Sequence, residues 1–206
     1  MDQLSSGIYR LLERAGVYEA FQRALGARTA RKRFVAELLR PFPGARVLDI
    51  GCGTASLLDD LPPDVEYTGY DLNPRYIAEA GKRYGSRGRF LVARVGEEPP
   101  LEGGFDFVVA KGVLHHLSDE DAGRLIRDAR AHLKAGGCLV TSDPVFHPGQ
   151  SPIARFLISR DRGRRVRTPE GYRGLMASQF AEIEERLVTD LLTVPYSHFF
   201  LRATRS

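Results

Sequence analysis

Val47-Leu48-Asp49-Ile50-Gly51-Cys52-Gly53-Thr54-Ala55 is an apolar run that stops in a glycine-spaced turn. Val47, Leu48 and Ile50 suit a strand buried on both faces. Gly51 and Gly53 let the backbone turn tightly and approach a ligand without interference from a Cβ. A helix is expected from Thr54-Ala55-Ser56, aiming free amide groups back into the turn. Such turns serve several nucleotide-like ligands, so a second feature is needed to narrow the reading. It comes 22 residues after Asp49, where Val65-Glu66-Tyr67-Thr68-Gly69-Tyr70-Asp71 reads as another strand closing on an acidic residue. A carboxylate there can accept bonds from both hydroxyls of a ribose. Ser56 stands where a dinucleotide fingerprint has its third glycine, which argues against a pyrophosphate and for a nucleoside without phosphates.

Outward from this pair the chain alternates. Strand 46–50 is followed by a helix to about 60, strand 65–70, and a helix from Pro74 to about Tyr84. Strands 89–95 and 105–110, a helix from about Asp119 to Leu133 and strand 138–142 come next. Two late strands, near Glu185 to Leu192 and Ser197 to Ala203, bring the sheet to seven. The alternation implies an α/β fold with a doubly wound, mostly parallel sheet and helices on both faces. The 206 residues read as one domain, 1–206, with 1–40 as an N-terminal helical cover and 145–180 as a substrate-covering insertion. Thr168-Pro169-Glu170 carries helix-start signals within that insertion: a capping hydroxyl, a first-turn proline and an acid near the positive end.

Composition narrows the class further. No apolar run is long enough to span a bilayer, and Met1-Asp2-Gln3-Leu4-Ser5-Ser6 lacks the start of a secretory signal, so a cytoplasmic location is expected. Cys52 and Cys138 fall in separate elements and form no disulfide or zinc spacing, and no metal is expected. The net charge of +4 matters less than its placement. Basic residues crowd Arg23 to Arg33 and, more densely, Arg160-Asp161-Arg162-Gly163-Arg164-Arg165-Val166-Arg167.

These stretches resemble the class I S-adenosylmethionine-dependent methyltransferases, in particular their small-molecule branch. The glycine turn and Asp71 match two of the family's motifs. Phe105-Asp106-Phe107-Val108-Val109-Ala110, running into Lys111-Gly112-Val113-Leu114-His115-His116-Leu117, resembles its fourth strand. Ala55 stands where many members have a third glycine. The resemblance covers roughly residues 40 to 145 and implies S-adenosylmethionine as cofactor. It implies that Asp49, Gly51, Cys52 and Gly53 line the methionine end, that Asp71 holds the ribose, and that Leu72 packs on the adenine. It also places Val95 and Gly96 along the adenine edge and Lys111 near the sulfonium, and puts Arg94 where many members carry an aspartate.

Methyl transfer needs alignment first and a base only when the nucleophile starts protonated. His115 and His116 are the first candidates for that base, because imidazole titrates near neutral pH. Asp143 and His147 form a second pair, and Tyr172 with its neighbouring arginines is a candidate for substrate contact. The resemblance implies transfer to an O or N atom of a small-molecule, sugar-linked or lipid-linked acceptor, with the arginines suited to an anionic group. Ile153, Phe156, Leu157 and Ile158 admit peripheral contact with a membrane. An RNA methyltransferase and a non-catalytic S-adenosylmethionine-binding protein are the alternatives. Against RNA, the fourth strand ends in Ala110-Lys111-Gly112-Val113, without the Asn/Asp-Pro-Pro-aromatic motif used on base amines.

Overall fold

Seven strands form one sheet in the order β3-β2-β1-β4-β5-β7-β6. β1 (Arg46–Ile50), β2 (Glu66–Asp71), β3 (Gly88–Val92), β4 (Phe105–Lys111) and β5 (Leu133–Pro144) run parallel. β7 (His198–Thr204) lies antiparallel between β5 and β6 (Glu182–Val188). This is the doubly wound sheet expected from the alternation. The structure is a computed structural model that describes residues 26–94, 104–160, 163 and 165–206. Val95, Gly96, Arg162 and Arg164, which the sequence singles out, lie outside the described residues.

Alternate residues of each strand enter opposite cores, as the two-residue period requires. Val47, Tyr67, Phe107, Val109 and Phe200 share one core, while Leu48, Ile50, Val108, Leu139 and Leu201 share the other. On the first face, α1 (Ala27–Arg33) runs into a π-helical turn, Phe34–Leu39, whose Phe34, Leu38 and Leu39 are buried in the core. Phe34 meets Phe200 edge to face with ring centroids 5.9 Å apart. Arg202 Nη1 donates to the otherwise spare carbonyls of Leu38 and Leu39, at 2.9 Å each. Residues 34–39 are thus part of the sheet's own packing. Each fully buried leucine or phenylalanine there contributes roughly 1.5–3 kcal/mol of transfer free energy.

α2 (Pro74–Tyr84) packs on this same face, and its start is set locally. Asn73 Oδ1 accepts from Arg75 N at 3.0 Å, and Pro74 occupies the first helical position. The second face carries α3 (Asp119–His132) and α5 (Pro169–Ala177), through Leu125, Ile126, Tyr172 and Met176. α4 (Pro152–Ser159) and α5 both lie between β5 and β6.

Four elements depart from expectation, one of them β6, which lies at Glu182–Val188 and ends before the expected Leu192. The helix after β1 is a single 3-10 turn, Ser56–Asp59. Ala55 adopts a left-handed backbone at φ 55°, Pro62 and Pro63 disfavour helix ahead of them, and Arg31 draws Asp59 and Asp60 aside. β3 ends at Val92, three residues early, and β5 begins at Leu133, five residues early, after a register shift opposite Phe105 and Phe107.

Ala55 is fully buried and strained where glycine carries no penalty. Ala55→Gly should therefore leave stability within about 1 kcal/mol, because relief of left-handed strain offsets the lost methyl group. Ala55→Val should cost about 2 kcal/mol or more in urea unfolding, since a β-branched residue is poorly tolerated there.

Candidate functional site

Strand order reverses between β1 and β4, and in open α/β sheets ligands bind in the crevice beyond the strand ends at that switch. The glycine turn leaves β1 there and is fastened to the end of β2. Gly51 N and Cys52 N both donate to Tyr70 O, at 2.8 and 3.1 Å. Gly53 N donates to Asp71 Oδ2 at 3.0 Å, while Asn73 N donates to Asp71 Oδ1 at 2.8 Å. The turn's amides are therefore held by β2, which corrects the expectation that a helix start aims them at the ligand. From the β4 side, a Cβ on Gly51 would lie 2.9 Å from Val113 Cγ2, so only glycine admits the loop after β4 this closely. Gly53, at φ 56°, has no heavy atom of the described residues within 4 Å of where its Cβ would be, so among them the turn is open at that point.

What the crevice offers is a carboxylate between apolar surfaces. Asp71 accepts two backbone bonds, and a carboxylate has about four acceptor positions, so it can still take a diol. Leu72 is 62% exposed and Val92, the register partner of Asp71 on β3, is 56% exposed. Two large apolar side chains left in solvent beside an acidic group fit a nucleoside, with a flat ring and a hydroxylated sugar. Leu72 was implied by the family resemblance. Val92 was not, because the strand was expected to continue past it.

Beneath the turn, Asp49 is buried and accepts from the Tyr67 hydroxyl at 2.7 Å. Burial pushes its carboxyl up to about 7. Lys111, the last residue of β4, acts on Asp49 and Asp143 through its charge. Burial, with Asp49 and Asp71 nearby, pushes the Cys52 thiol far up, so this cysteine is no nucleophile.

The base candidates sort differently from expectation. His115 and Asp143, both buried, pair with each other: His115 Nδ1 donates to Asp143 Oδ1 at 2.8 Å, and His115 N donates to the same oxygen at 3.2 Å. That tautomer leaves Nε2 as the acceptor nitrogen. Asp143 Oδ2 is buried without a hydrogen-bond partner among the described residues. His147, expected beside Asp143, instead meets Ser197 Oγ at 3.1 Å and Pro148 O at 2.8 Å. His116 is exposed, its ring 4.0 Å from that of His115.

Gly163, Arg165 and Arg167 of the arginine-rich segment lie over this dyad and its turn. A Cβ on Gly163 would fall 1.8 Å from His115 Cδ2, so the glycine lies directly on the imidazole. Arg165 N donates to His115 O at 3.1 Å. Arg167 donates to Leu114 O at 2.7 Å, to Leu117 O at 2.8 Å and to Asp119 Oδ1 at 2.7 Å. Tyr172 is buried and donates to Pro144 O at 2.9 Å. Arg167 and Tyr172, expected as substrate contacts, thus hold the cover to the sheet; Arg155, Arg160 and Arg165 remain exposed. Among the described residues no cluster of three or more His, Cys, Asp or Glu forms a metal cradle, and no helix is long and apolar enough to cross a membrane.

Residues 48–139 match a family model described as a methyltransferase domain. Among curated proteins, trans-aconitate 2-methyltransferase of Deinococcus radiodurans is 32% identical over 124 residues, 59% of this chain and 46% of that protein. An O-methyltransferase of Pyrenophora dematioidea is 30% identical over 159 residues, 68% of this chain and 59% of that protein. The chain thus spans about half the length of these relatives. Among solved structures, magnesium protoporphyrin IX methyltransferase from Synechocystis with bound SAH superposes with a TM-score of 0.67. That match has 21% identity and covers 97% of this chain and 98% of the other.

Two outcomes follow from this geometry. Because the folded protein holds Asp49 protonated above its ordinary value of 3.8, that stabilisation is complete below the carboxylate range and is lost as pH rises through about 7. Asp49→Asn should flatten this part of the Tm-against-pH profile of the ligand-free protein. Gly163→Ala should displace the cover from His115, reducing acceptor turnover at least about tenfold while leaving cofactor Kd within about twofold, as positioning losses do.

Proposed function

We propose that the chain is a class I S-adenosylmethionine-dependent methyltransferase that moves a methyl group to an O or N atom of a small-molecule, sugar-linked or lipid-linked acceptor. The observation that carries the cofactor side is Asp71, fixed by Gly53 N and Asn73 N between the exposed Leu72 and Val92. When bound, S-adenosylmethionine supplies an electrophilic methyl group on a sulfonium. Asp71 receives the ribose hydroxyls, Leu72 and Val92 flank the adenine, and Asp49 with the Gly51–Gly53 turn receives the amino-acid end. The sheet supplies alignment, which is most of what an in-line transfer requires.

His115 is the group we assign to take the acceptor's proton, at Nε2, with Asp143 holding the ring through Nδ1. A buried carboxylate on one imidazole nitrogen favours the cation that forms when the other nitrogen is protonated. Gly163 roofs the ring, so the cover must shift for an acceptor to reach it. His116 lines the outer side of the same turn. Asp143→Asn should lower kcat by about tenfold or more, since base catalysis is worth about a hundredfold or more, and leave cofactor Kd unchanged. An unchanged kcat with the correct acceptor would remove the dyad from the mechanism.

An anionic acceptor is favoured by Arg155, Arg160 and Arg165, exposed on or beside the cover. The name of the Deinococcus relative, which refers to trans-aconitate, is consistent with that charge preference. Ile153 and Phe156, 59% and 57% exposed on α4 beside Arg155 and Arg160, would suit an acceptor carried on a lipid. The test is transfer of a labelled methyl group to panels of carboxylate, phosphate and neutral acceptors. Arg165→Ala should raise KM for the anionic acceptor several-fold, about the worth of one charge-assisted bond, with cofactor KM constant. Equal turnover of neutral and anionic acceptors would contradict the charge preference.

A further inference from the structure

We infer that Tyr67 is a positioning residue of the cofactor site: its phenol holds one oxygen of the Asp49 carboxyl group so that the other oxygen receives the ammonium of the cofactor's amino-acid end. This rests on the cofactor reading above and adds a residue from the second strand to it.

The arrangement is built into the sheet. Tyr67 lies opposite Val47 on β1, and Asp49 lies opposite Gly69 on β2. To reach Asp49 the phenol runs along the sheet surface, and two glycines clear its path. A Cβ on Gly69 would lie 2.9 Å from Tyr67 Cε1 and 2.9 Å from Cys52 Sγ, while one on Gly88 of β3 would lie 2.9 Å from Tyr67 Cδ1. Neither glycine has a left-handed backbone, so both are there for room and not for conformation. The ring is buried, and its hydroxyl ends 2.7 Å from Asp49 Oδ2. A tyrosine in a strand core usually needs only a nearby carbonyl to satisfy its hydroxyl. Here the sheet gives up side chains at two neighbouring positions so that the hydroxyl meets a carboxylate under the ligand turn.

The titratable groups facing Asp49 are Tyr67 and Asp71 from β2, Lys111 from β4 and Cys52 from the turn. Burial and Asp71 favour its neutral form, while the Tyr67 hydrogen bond and Lys111 favour the anion. Burial and Asp49 push the Tyr67 phenol well up, so it stays a donor. Removing it leaves burial less opposed.

The experiment is Kd for S-adenosylhomocysteine across a pH series, for wild type and Tyr67→Phe, with circular dichroism confirming the fold. Wild-type affinity should weaken as pH falls through about 7. In Tyr67→Phe that midpoint should move up by about one pH unit, the scale of one hydrogen bond to a charged group, with affinity recovering at high pH. Gly88→Ala, which crowds the ring without removing it, should shift the midpoint the same way and serves if the phenylalanine variant does not fold. Adding Tyr67→Phe to Asp49→Asn should change Kd by less than about twofold, because the group it acts on is gone. Superimposed profiles, or a loss equal at every pH, would overturn the role of Tyr67 while leaving the cofactor reading intact. Wild type that binds at no pH would overturn both.

Discussion

The bond on which the site depends is the one from Gly53 N to the Asp71 carboxylate. It joins the turn after β1 to the end of β2, and with Tyr70 O accepting from Gly51 N and Cys52 N it fixes the turn at three points. A glycine turn unsupported by a full helix would otherwise be free to wander. Here the structure after the turn is one 3-10 turn, Ser56–Asp59, and the rigidity comes from the neighbouring strand. Asp71 therefore does two things at once: it shapes the loop and presents acceptor capacity between exposed Leu72 and Val92. Its removal should be felt in the loop as well as in the ligand.

The second half of the site is held by hydrogen bonds to main-chain carbonyls together with one ion pair, Arg167 to Asp119. Arg167 spends its guanidinium largely on the carbonyls of Leu114 and Leu117, which end the turn carrying His115 and His116. Hydrogen bonds from a charged donor to carbonyls contribute more than the typical exposed salt bridge. Arg165 N and Gly163 complete the closure on His115. The cover is thereby registered on the dyad. Among the described residues its fastenings run to Leu114, His115, Leu117 and Asp119.

Much of the fold was legible because its signals are local. The β1 run, the Asn73-Pro74 start of α2 and the Thr168-Pro169 start of α5 each carry their own instructions, and each element begins where those residues say. Asp71 could be read as the end of β2 because the strand run closes on it, whereas Leu72 was implied by the family resemblance alone. What sequence could not supply is the choice of partner across the sheet. Asp143 pairs with His115 and not with His147, four residues away, because β4 and β5 are neighbours and their ends meet. The Tyr67–Asp49 contact requires knowing that Gly88 lies opposite Tyr67 and Gly69 opposite Asp49, which only register reveals. The missing helix after β1 follows from Ala55 accepting a left-handed backbone, and alanine gives no warning of that.

The most direct test of this account is calorimetric titration with S-adenosylhomocysteine of the wild-type chain and of Asp71→Ala. The account predicts one site on the wild type and a loss of at least about a hundredfold in the variant, because a ribose contact and the loop that carries it go together. Equal affinity in the two proteins, or no heat from a well-folded wild type, would contradict it.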